Sequence, residues 1–247
     1  MCRIIAVKGK INKNDLALVL AGFRKQSEAG TVPQGEKPGH HDGWGFVVYK
    51  NKEIKLYSRS GDDASQDPKY IQAADKILKT GSDILIGHLR KASVGQTEIN
   101  NAHPFVHKNF SFCHNGKIIN SDKISVPNKF KKSIKGTTDS ERLFYSILNS
   151  LDQNKNLKVS FGQAIKKITK DFDYTGLNCL FSDGNKLIAL RQINLKNKIV
   201  KEKKLLPYYS LFVGDNITVG YKIIASEKIE ITGVKWQLLK NGEMLVI

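Results

Sequence analysis

The chain begins MCRIIAVKGK at residues 1–10, with a cysteine directly after the first methionine and an apolar segment behind it. The β-branched run behind Cys2 predicts a short buried strand over residues 2–8. In one interpretation Cys2 only begins this strand. In the other, Met1 is removed and Cys2 becomes a nucleophile whose own α-amine acts as the base. The rest of the chain has to supply the other parts of such a site.

The composition is typical of an ordinary globular protein. The 247 residues are 40% hydrophobic and 26% charged, enough for a sizeable core. No apolar run approaches the length of a membrane span, and the first residues lack the apolar core of a signal peptide. Cys2, Cys113 and Cys179 form neither a disulfide framework nor a CxxC motif. This cysteine usage predicts a protein of the reducing cytoplasm.

The net charge of +17 raises the alternative of a basic nucleic-acid-binding protein. Most of the basic residues are lysines, whereas bidentate contacts to phosphates and bases favour arginine. The lysines occur in polar runs such as NKFKKSIK and KNKIVKEKK, in which Phe130 is the only aromatic residue. We therefore interpret the charge as a solvated surface and expect no nucleic-acid partner. Arginine occurs only as Arg3, Arg24, Arg59, Arg90, Arg142 and Arg191.

The order of predicted elements indicates an α+β fold with two antiparallel sheets. Strictly alternating strand and helix units are absent, which argues against a doubly wound parallel sheet. Turn signals at Asp183-Gly184 and Asn241-Gly242 predict hairpins in the strand-rich last third of the chain. We expect a four-layer αββα sandwich that forms one domain over residues 1–247. The predicted helices cover residues 15–30, 67–79, 137–152 and 159–172.

Polar residues at strand and helix ends form an ordered set of short motifs. These are MCRII, GHLRKAS (87–93), NAHPF (101–105), CHNGKI (113–118) and TTDSE (137–141). Each has a plain structural alternative. Arg90 could form a surface ion pair, Asn115-Gly116 could be a hairpin turn, and Asp139 could cap a helix.

Taken together, the motifs resemble the glutaminase domain of class II glutamine amidotransferases, the N-terminal-nucleophile type. The resemblance implies the αββα fold of the N-terminal nucleophile hydrolases and a free-standing form of the domain. It also implies that Cys2 is the nucleophile and that Arg90 and Asp139 bind the substrate. By the same resemblance Ser93 and the 102–105 loop with His103 help to form the pocket.

The chemistry of amide hydrolysis explains why these residue types are needed. A carboxamide is a poor electrophile, so a thiolate nucleophile and stabilisation of the oxyanion are both required. The Asn115 side-chain amide and the Gly116 backbone N–H would supply the two donors. Arg90 suits the substrate carboxylate, and Asp139 would pair with its ammonium group. Trp44 in DGWGF either packs over the substrate or fills the core.

The predicted reaction converts glutamine to glutamate and ammonia through a Cys2 thioester, and no cofactor is expected. The ammonia would go to a separate synthase subunit, or the substrate would be a larger γ-glutamyl amide. The sequence leaves this choice open. It departs from the family pattern at Lys91, where an aromatic residue is frequent, and at Ser93, where threonine is usual. No metal is expected, because the spacing of His40, His41 and Asp42 with the later histidines matches no standard zinc pattern. A Cys113–His114 dyad is not expected, since neighbours on a strand point to opposite faces.

Overall fold

The computed structural model describes residues 1–92 and 97–247, and within them strands and helices segregate into layers. The principal helices are α1 (Lys13–Ala29), α2 (Pro68–Thr80), α4 (Asp139–Gln153) and α5 (Leu157–Asp171), with the short helices α3 (Asn128–Lys131) and α6 (Lys198–Glu202). The strands are β1 (Arg3–Gly9), β2 (Trp44–Lys50), β3 (Glu53–Ser60), β4 (Ile84–Leu89), β5 (Phe105–His107), β6 (Phe110–Ile118), β7 (Tyr174–Ser182), β8 (Leu187–Leu190), β9 (Phe212–Asn216), β10 (Tyr221–Ala225), β11 (Lys235–Leu238) and β12 (Met244–Val246).

The strands form two sheets in which neighbouring strands run antiparallel. Sheet A has seven strands in the order β11-β9-β10-β1-β4-β2-β3, and sheet B has five in the order β12-β8-β7-β6-β5. The central strands are buried on both faces, and all nine residues of β7 are buried. By contrast, the edge strand β3 alternates between exposed and covered residues, as expected for a strand with one solvated face.

Three apolar layers hold the sandwich together. The middle layer lies between the sheets and joins Ile4 and Ile86 of sheet A to Cys113 and Leu180 of sheet B. A second layer packs α1 and α2 on the outer face of sheet A, and a third packs α4 and α5 on the outer face of sheet B. The predicted α+β fold, an αββα sandwich of two antiparallel sheets, is therefore confirmed.

Side-chain caps begin the long helices near the predicted positions. Asp67 accepts a hydrogen bond from the Lys69 N–H at 2.9 Å, with Pro68 in the first turn of α2. Thr138 accepts from the Glu141 N–H at the start of α4. α1 begins earlier than residue 15, because the Asn12 side chain caps it by accepting from the Asp15 N–H.

The hairpin predicted at Asp183-Gly184 is confirmed, since β7 and β8 pair across it, but the one predicted at Asn241-Gly242 is wrong. The strand before that turn, β11, pairs with β9 in sheet A, whereas the strand after it, β12, pairs with β8 in sheet B. The turn instead carries the chain between the sheets. Asn241 fixes it by accepting from the Ile193 N–H at 2.7 Å. The hydrophobic pattern of the two strands could not show that they belong to different sheets.

In the described ranges, no helix is both long and apolar enough to cross a membrane.

Candidate active site

Cys2 lies at the start of β1, the strand at the centre of sheet A, and is half-buried. Since Ile4 and Ala6 point into the layer between the sheets, the two-residue period of a strand directs residue 2 to the same side. The Cys2 backbone N–H donates to Asn115 Oδ1 at 3.0 Å. The thiol Sγ lies 3.6 Å from the carbonyl oxygen of Lys91. Cys2 therefore contacts both β6 of sheet B and the segment that follows β4.

Asn115 is fully buried in β6, on the side of the strand that faces sheet A. Its Oδ1 accepts from Cys2, while its Nδ2 has no hydrogen-bond partner among the residues that the structure describes. A buried donor without a partner costs about 1–3 kcal/mol in general. This arrangement suits an amide that serves a bound ligand. The hairpin-turn alternative for Asn115-Gly116 is excluded, because both residues lie inside β6.

Gly116 occupies a position that only glycine can take. A Cβ atom there would lie 1.8 Å from the carbonyl oxygen of Gly176 on the neighbouring strand β7. The pairing of β6 with β7 also becomes irregular between Gly116 and Ile118. The close approach of the two backbones therefore fixes the end of β6 beside Asn115.

Arg90 directly follows β4 and is only 3% exposed, so a surface ion pair is excluded. Its backbone is held on both sides: its N–H donates to the Gly43 carbonyl at 2.8 Å, and its carbonyl accepts from the Asp42 N–H at 3.0 Å. The Asp42 carboxylate accepts from the Ala92 N–H at 2.7 Å. The loop before β2 thus positions the arginine next to the segment that touches the Cys2 thiol.

Asp139 is the first residue of α4 and is buried, while its neighbour Thr138 is the cap. The carboxylate accepts from the Ile118 N–H at 2.7 Å and from the Ser140 N–H at 2.9 Å. These bonds tie the start of α4 to the end of β6. His114 extends the connection, with Nδ1 lying 2.8 Å from Ser140 Oγ.

His103 is buried beside a second histidine. The His103 ring stacks on His88 with centroids 4.2 Å apart, and a Cβ on Gly45 would meet the His103 carbonyl oxygen at 2.3 Å. Burial holds the pKa of His103 well below its usual range, and Arg90 and the neighbouring histidines act in the same direction. His103 is therefore neutral at physiological pH, and its ring packs on His88, two residues before Arg90.

The structure does not bring Trp44 to Cys2. Its ring is fully buried in the layer between sheet A and the helices α1 and α2, and Nε1 donates to Asp67 at 2.9 Å. This placement agrees with the interpretation of Trp44 as a core residue. Ser93, the other residue predicted to line the pocket, lies outside the described residues.

Arg3 and Glu227 also lie beside Cys2, although no sequence motif predicted a role for them. The Arg3 guanidinium is 2% exposed; it donates to Glu227 Oε2 at 2.6 Å and to the Cys2 carbonyl at 3.3 Å. Next to it, Ser226 Oγ accepts from the Ile4 N–H at 3.0 Å. The segment IASE at 224–227 therefore holds the beginning of β1 in place through Ser226 and Glu227.

The amine at Met1 is also largely enclosed. Burial lowers its pKa, and the cations Arg3 and Lys91 act in the same direction. Lys91 reaches over the 31–43 loop, where its Nζ donates to the Lys37 carbonyl at 2.8 Å and lies 3.7 Å from Glu36.

Two of the histidines weighed as metal ligands, His40 and His41, have hydrogen-bond partners within the protein. His40 Nδ1 lies 3.1 Å from the Gln26 carbonyl, and burial lowers the pKa of His40 to about 2. His41 Nδ1 lies 2.6 Å from Asp63. Within residues 1–92 and 97–247, no three histidine, cysteine or acidic side chains are grouped so that they could hold a metal ion. Cys113 and His114 face opposite sides of β6, which leaves them unable to form a dyad.

Comparison with known proteins gives matches over the whole chain. The family model of the class II glutamine amidotransferases matches residues 1–247. An uncharacterised protein of Methanocaldococcus jannaschii is 27% identical over 266 residues, covering 100% of this chain and 69% of the relative. A Haemophilus influenzae protein, provisionally named a glutamine amidotransferase, is 29% identical over 257 residues, with coverages of 98% and 82%.

Solved structures show the same arrangement of layers. A class II glutamine aminotransferase domain protein of Silicibacter pomeroyi superposes with a TM-score of 0.63, covering 100% of this chain and 94% of its own. The two sequences are 21% identical. At that level of identity, the likeness establishes the fold.

Proposed function

Since this chain belongs to the class II glutamine amidotransferases, we propose that it hydrolyses γ-glutamyl amides with Cys2 as the N-terminal nucleophile. Glutamine is the simplest such substrate, and its products are glutamate and ammonia. The proposal requires that Met1 is removed, because the α-amine of Cys2 serves as the base. It treats residues 1–247 as one glutamine amidotransferase domain, which the family match over the whole chain supports.

The contact between Cys2 and Asn115 carries the proposal. Asn115 Oδ1 holds the nitrogen that would become the α-amine, and the Nδ2 of the same side chain keeps an unused buried donor. The thiol and nitrogen of Cys2 and the proposed oxyanion donor of Asn115 therefore lie together in the layer between the sheets. Gly116 supports this role, because its missing Cβ lets the end of β6 lie against Gly176 of β7 and so fixes the backbone next to Asn115.

The proposed reaction has two steps. The α-amine takes the thiol proton, and the thiolate attacks the γ-carbonyl carbon, forming a C–S bond and an oxyanion that faces Asn115 Nδ2 and the Gly116 N–H. As the C–N bond breaks, the protonated amine returns its proton to the departing nitrogen, leaving a γ-glutamyl thioester. Water then adds to the thioester, the C–S bond breaks, and the thiol is restored with release of glutamate.

The amine is suited to this work by its surroundings. Its reference pKa of about 7.7–8.0 already lies near neutrality. The nitrogen of Cys2 is held in place by Asn115 Oδ1, which accepts its hydrogen bond at 3.0 Å. A neutral amine is therefore available to accept a proton at physiological pH.

Substrate recognition is assigned to Arg90 and Asp139. The planar guanidinium of Arg90 would bind the α-carboxylate of the substrate, and the Asp139 carboxylate its α-ammonium. In support, both side chains are buried and their backbones are fixed, Arg90 by the 42–43 loop and Asp139 by the first turn of α4. Ser93, His103 and the 102–105 loop would complete the pocket.

Two further parts of the proposal concern the surroundings of the enzyme. Ammonia released from glutamine would be available to a separate synthase subunit. The three cysteines are free, which supports a reducing compartment such as the cytoplasm.

Intact-mass measurement after exposure to diazo-oxo-norleucine, a glutamine-like electrophile, tests the mechanism. We expect one adduct per chain, on Cys2, in a protein that lacks Met1. Cys2→Ala should abolish both the adduct and the release of glutamate. Cys179→Ala, which changes a fully buried thiol on the outer face of β7, should keep both. Retained Met1 without an adduct would contradict the proposal, since the base would then be part of a peptide bond.

A further inference from the structure

The Met1 side chain packs on a small apolar cluster outside the three layers of the sandwich. We call it the Met1 cluster; it consists of Ile193, Val200, Leu205 and Tyr209. The four side chains are between 2% and 6% exposed. The cluster lies in the connection from β8 to β9, which contains the short helix α6.

The Met1 cluster is held in place by sheet B and not by Met1. The Tyr209 carbonyl accepts from Asn178 Nδ2 and from Arg191 Nε, both at 3.0 Å. The Tyr209 hydroxyl lies 2.7 Å from Thr175 Oγ1. α6 is anchored through its cap Asn197, whose Nδ2 donates to Asp173 at 2.8 Å. Removal of Met1 would therefore leave these four side chains where they are.

The cluster also borders the proposed catalytic residues. The Tyr209 ring lies against Gly176, where a Cβ would meet it at 2.8 Å. The carbonyl of Gly176 is in turn the group that Gly116 approaches so closely that no Cβ fits. The backbone at Gly176 therefore contacts the Met1 cluster through Tyr209 and the proposed oxyanion donors through Gly116.

The hydrogen bond of Cys2 fixes the side on which the leaving group departs. The nitrogen of Cys2 carries three groups. Its hydrogen points at Asn115 Oδ1, its Cα belongs to the fixed chain, and the third group is the carbonyl carbon of Met1. The positions that remain on the freed amine therefore point into the space that Met1 now fills. A general acid must lie within hydrogen-bond reach of the atom that it protonates. The departing nitrogen, with any substituent on it, must consequently lie on the Met1 side.

From this geometry we propose that removal of Met1 opens an apolar subsite, the Met1 cluster, which binds the amine part of a γ-glutamyl amide. The inference rests on the proposed function and narrows its substrate class. The preferred substrate is a γ-glutamyl amide with an apolar substituent on the amide nitrogen, and not free glutamine. In that reaction the nitrogen leaves as a primary amine, having received its proton from the α-amine of Cys2. Free glutamine has no substituent on its amide nitrogen, so it would not fill the subsite.

Two synthetic amides test the subsite directly. The γ-methylamide and the γ-isopentylamide of L-glutamate differ only in the apolar group on the nitrogen, and their leaving amines are similarly basic. With the full chain, shown by intact mass to lack Met1, kcat/KM for glutamate release is measured for both amides and for L-glutamine. We expect the isopentylamide to exceed the methylamide by about ten-fold or more, because even one methylene in an apolar pocket gives a discrimination of that order.

Variants assign the preference to the cluster. Leu205→Ala and, separately, Val200→Ala should lower the isopentyl-to-methyl ratio of kcat/KM several-fold. The ratio is taken from one preparation, so it does not depend on the fraction of molecules that are folded. Leu206→Ala is the matched control, since Leu206 is the neighbouring leucine, is 47% exposed and is not part of the cluster. It should leave the ratio unchanged.

Failure of the subsite and failure of the proposed function give different results. Equal kcat/KM values for the two amides, or a ratio that neither cluster variant changes, would overturn the subsite while Cys2-dependent hydrolysis stands. If no glutamate is released from any of the three compounds and diazo-oxo-norleucine forms no adduct, the proposed function fails and the subsite with it.

Discussion

At the scale of a residue, the two polar atoms of Asn115 have different surroundings, and the proposed mechanism gives each a separate purpose. Its oxygen binds the nitrogen of Cys2 at 3.0 Å, and its buried Nδ2 is without a hydrogen-bond partner in the described part of the chain. An aspartate could accept the same hydrogen bond but could not donate one. Replacing Asn115 by aspartate therefore removes the donor Nδ2 and keeps an acceptor for the nitrogen of Cys2.

We expect Asn115→Asp to lower kcat by about 10²–10³, the usual effect of losing one oxyanion donor. The residual activity should also shift to higher pH, because a carboxylate beside the α-ammonium favours its charged form. Steady-state glutamate release across a pH series measures both effects.

A thermal unfolding curve for Asn115→Asp controls for damage to the fold. A variant that folds normally and retains full kcat would remove Asn115 from the oxyanion site.

At the scale of an element, the end of β6 depends on a backbone approach that side chains would prevent. Gly116 lies so close to Gly176 that any Cβ would overlap the carbonyl oxygen. The approach also sets the position of Ile118, whose N–H binds Asp139. Strand β6 thereby links the proposed oxyanion donors to Asp139, the residue proposed to bind the substrate ammonium.

Gly116→Ala is expected to lower the free energy of unfolding by about 1–3 kcal/mol, the range typical of overpacking in a core. Gly162→Ala provides the matched control. Gly162 lies inside α5, where an added Cβ would meet only Met244 at 3.8 Å, and alanine there should stabilise the protein by about 0.5–1 kcal/mol. Urea unfolding of the two variants compares them directly, and equal effects would contradict the steric explanation.

At the scale of the whole molecule, the site exists because two sheets face each other. Cys2 comes from sheet A and Asn115 from sheet B. The same packing encloses His88 and His103 between the sheets, next to Arg90. Burial lowers the pKa of His88 to about 3, and the charge of Arg90 adds to the effect.

The buried histidines predict that acid weakens the fold. In the unfolded chain a histidine has a pKa near 6.5, whereas in the folded protein the pKa is about 3 for His88 and about 2 for His40. Between these values the unfolded state binds more protons, so stability is complete above about pH 6.5 and is lost as the pH falls. The expected slope is up to about 1.4 kcal/mol per pH unit for each histidine.

Denaturant unfolding from pH 7.5 to pH 5 measures this slope, and His88→Gln should reduce it. An unchanged slope in that variant would show that His88 does not carry the effect.

Local sequence patterns were enough to predict the classes of element and the set of candidate reactive residues. Alternation, helical spacing and caps such as Asp67-Pro68 are local, so they could be read without knowing what packs against them. The ordered motifs around Cys2, Arg90, Asn115 and Asp139 were visible for the same reason. The short strand β5 escaped prediction, because three residues carry too little pattern.

Which of these residues lie close together depends on how the two sheets pack, so only the tertiary structure shows it. It sent β11 and β12 to different sheets, although the turn between them is typical of a hairpin. It also removed Trp44 from the site, since a strand residue's face is fixed by the register of its sheet. Contacts such as Arg3 with Glu227 and Met1 with Tyr209 join residues about 200 positions apart. Distances across such a gap depend on how the sheets pack, and local sequence contains no record of that packing.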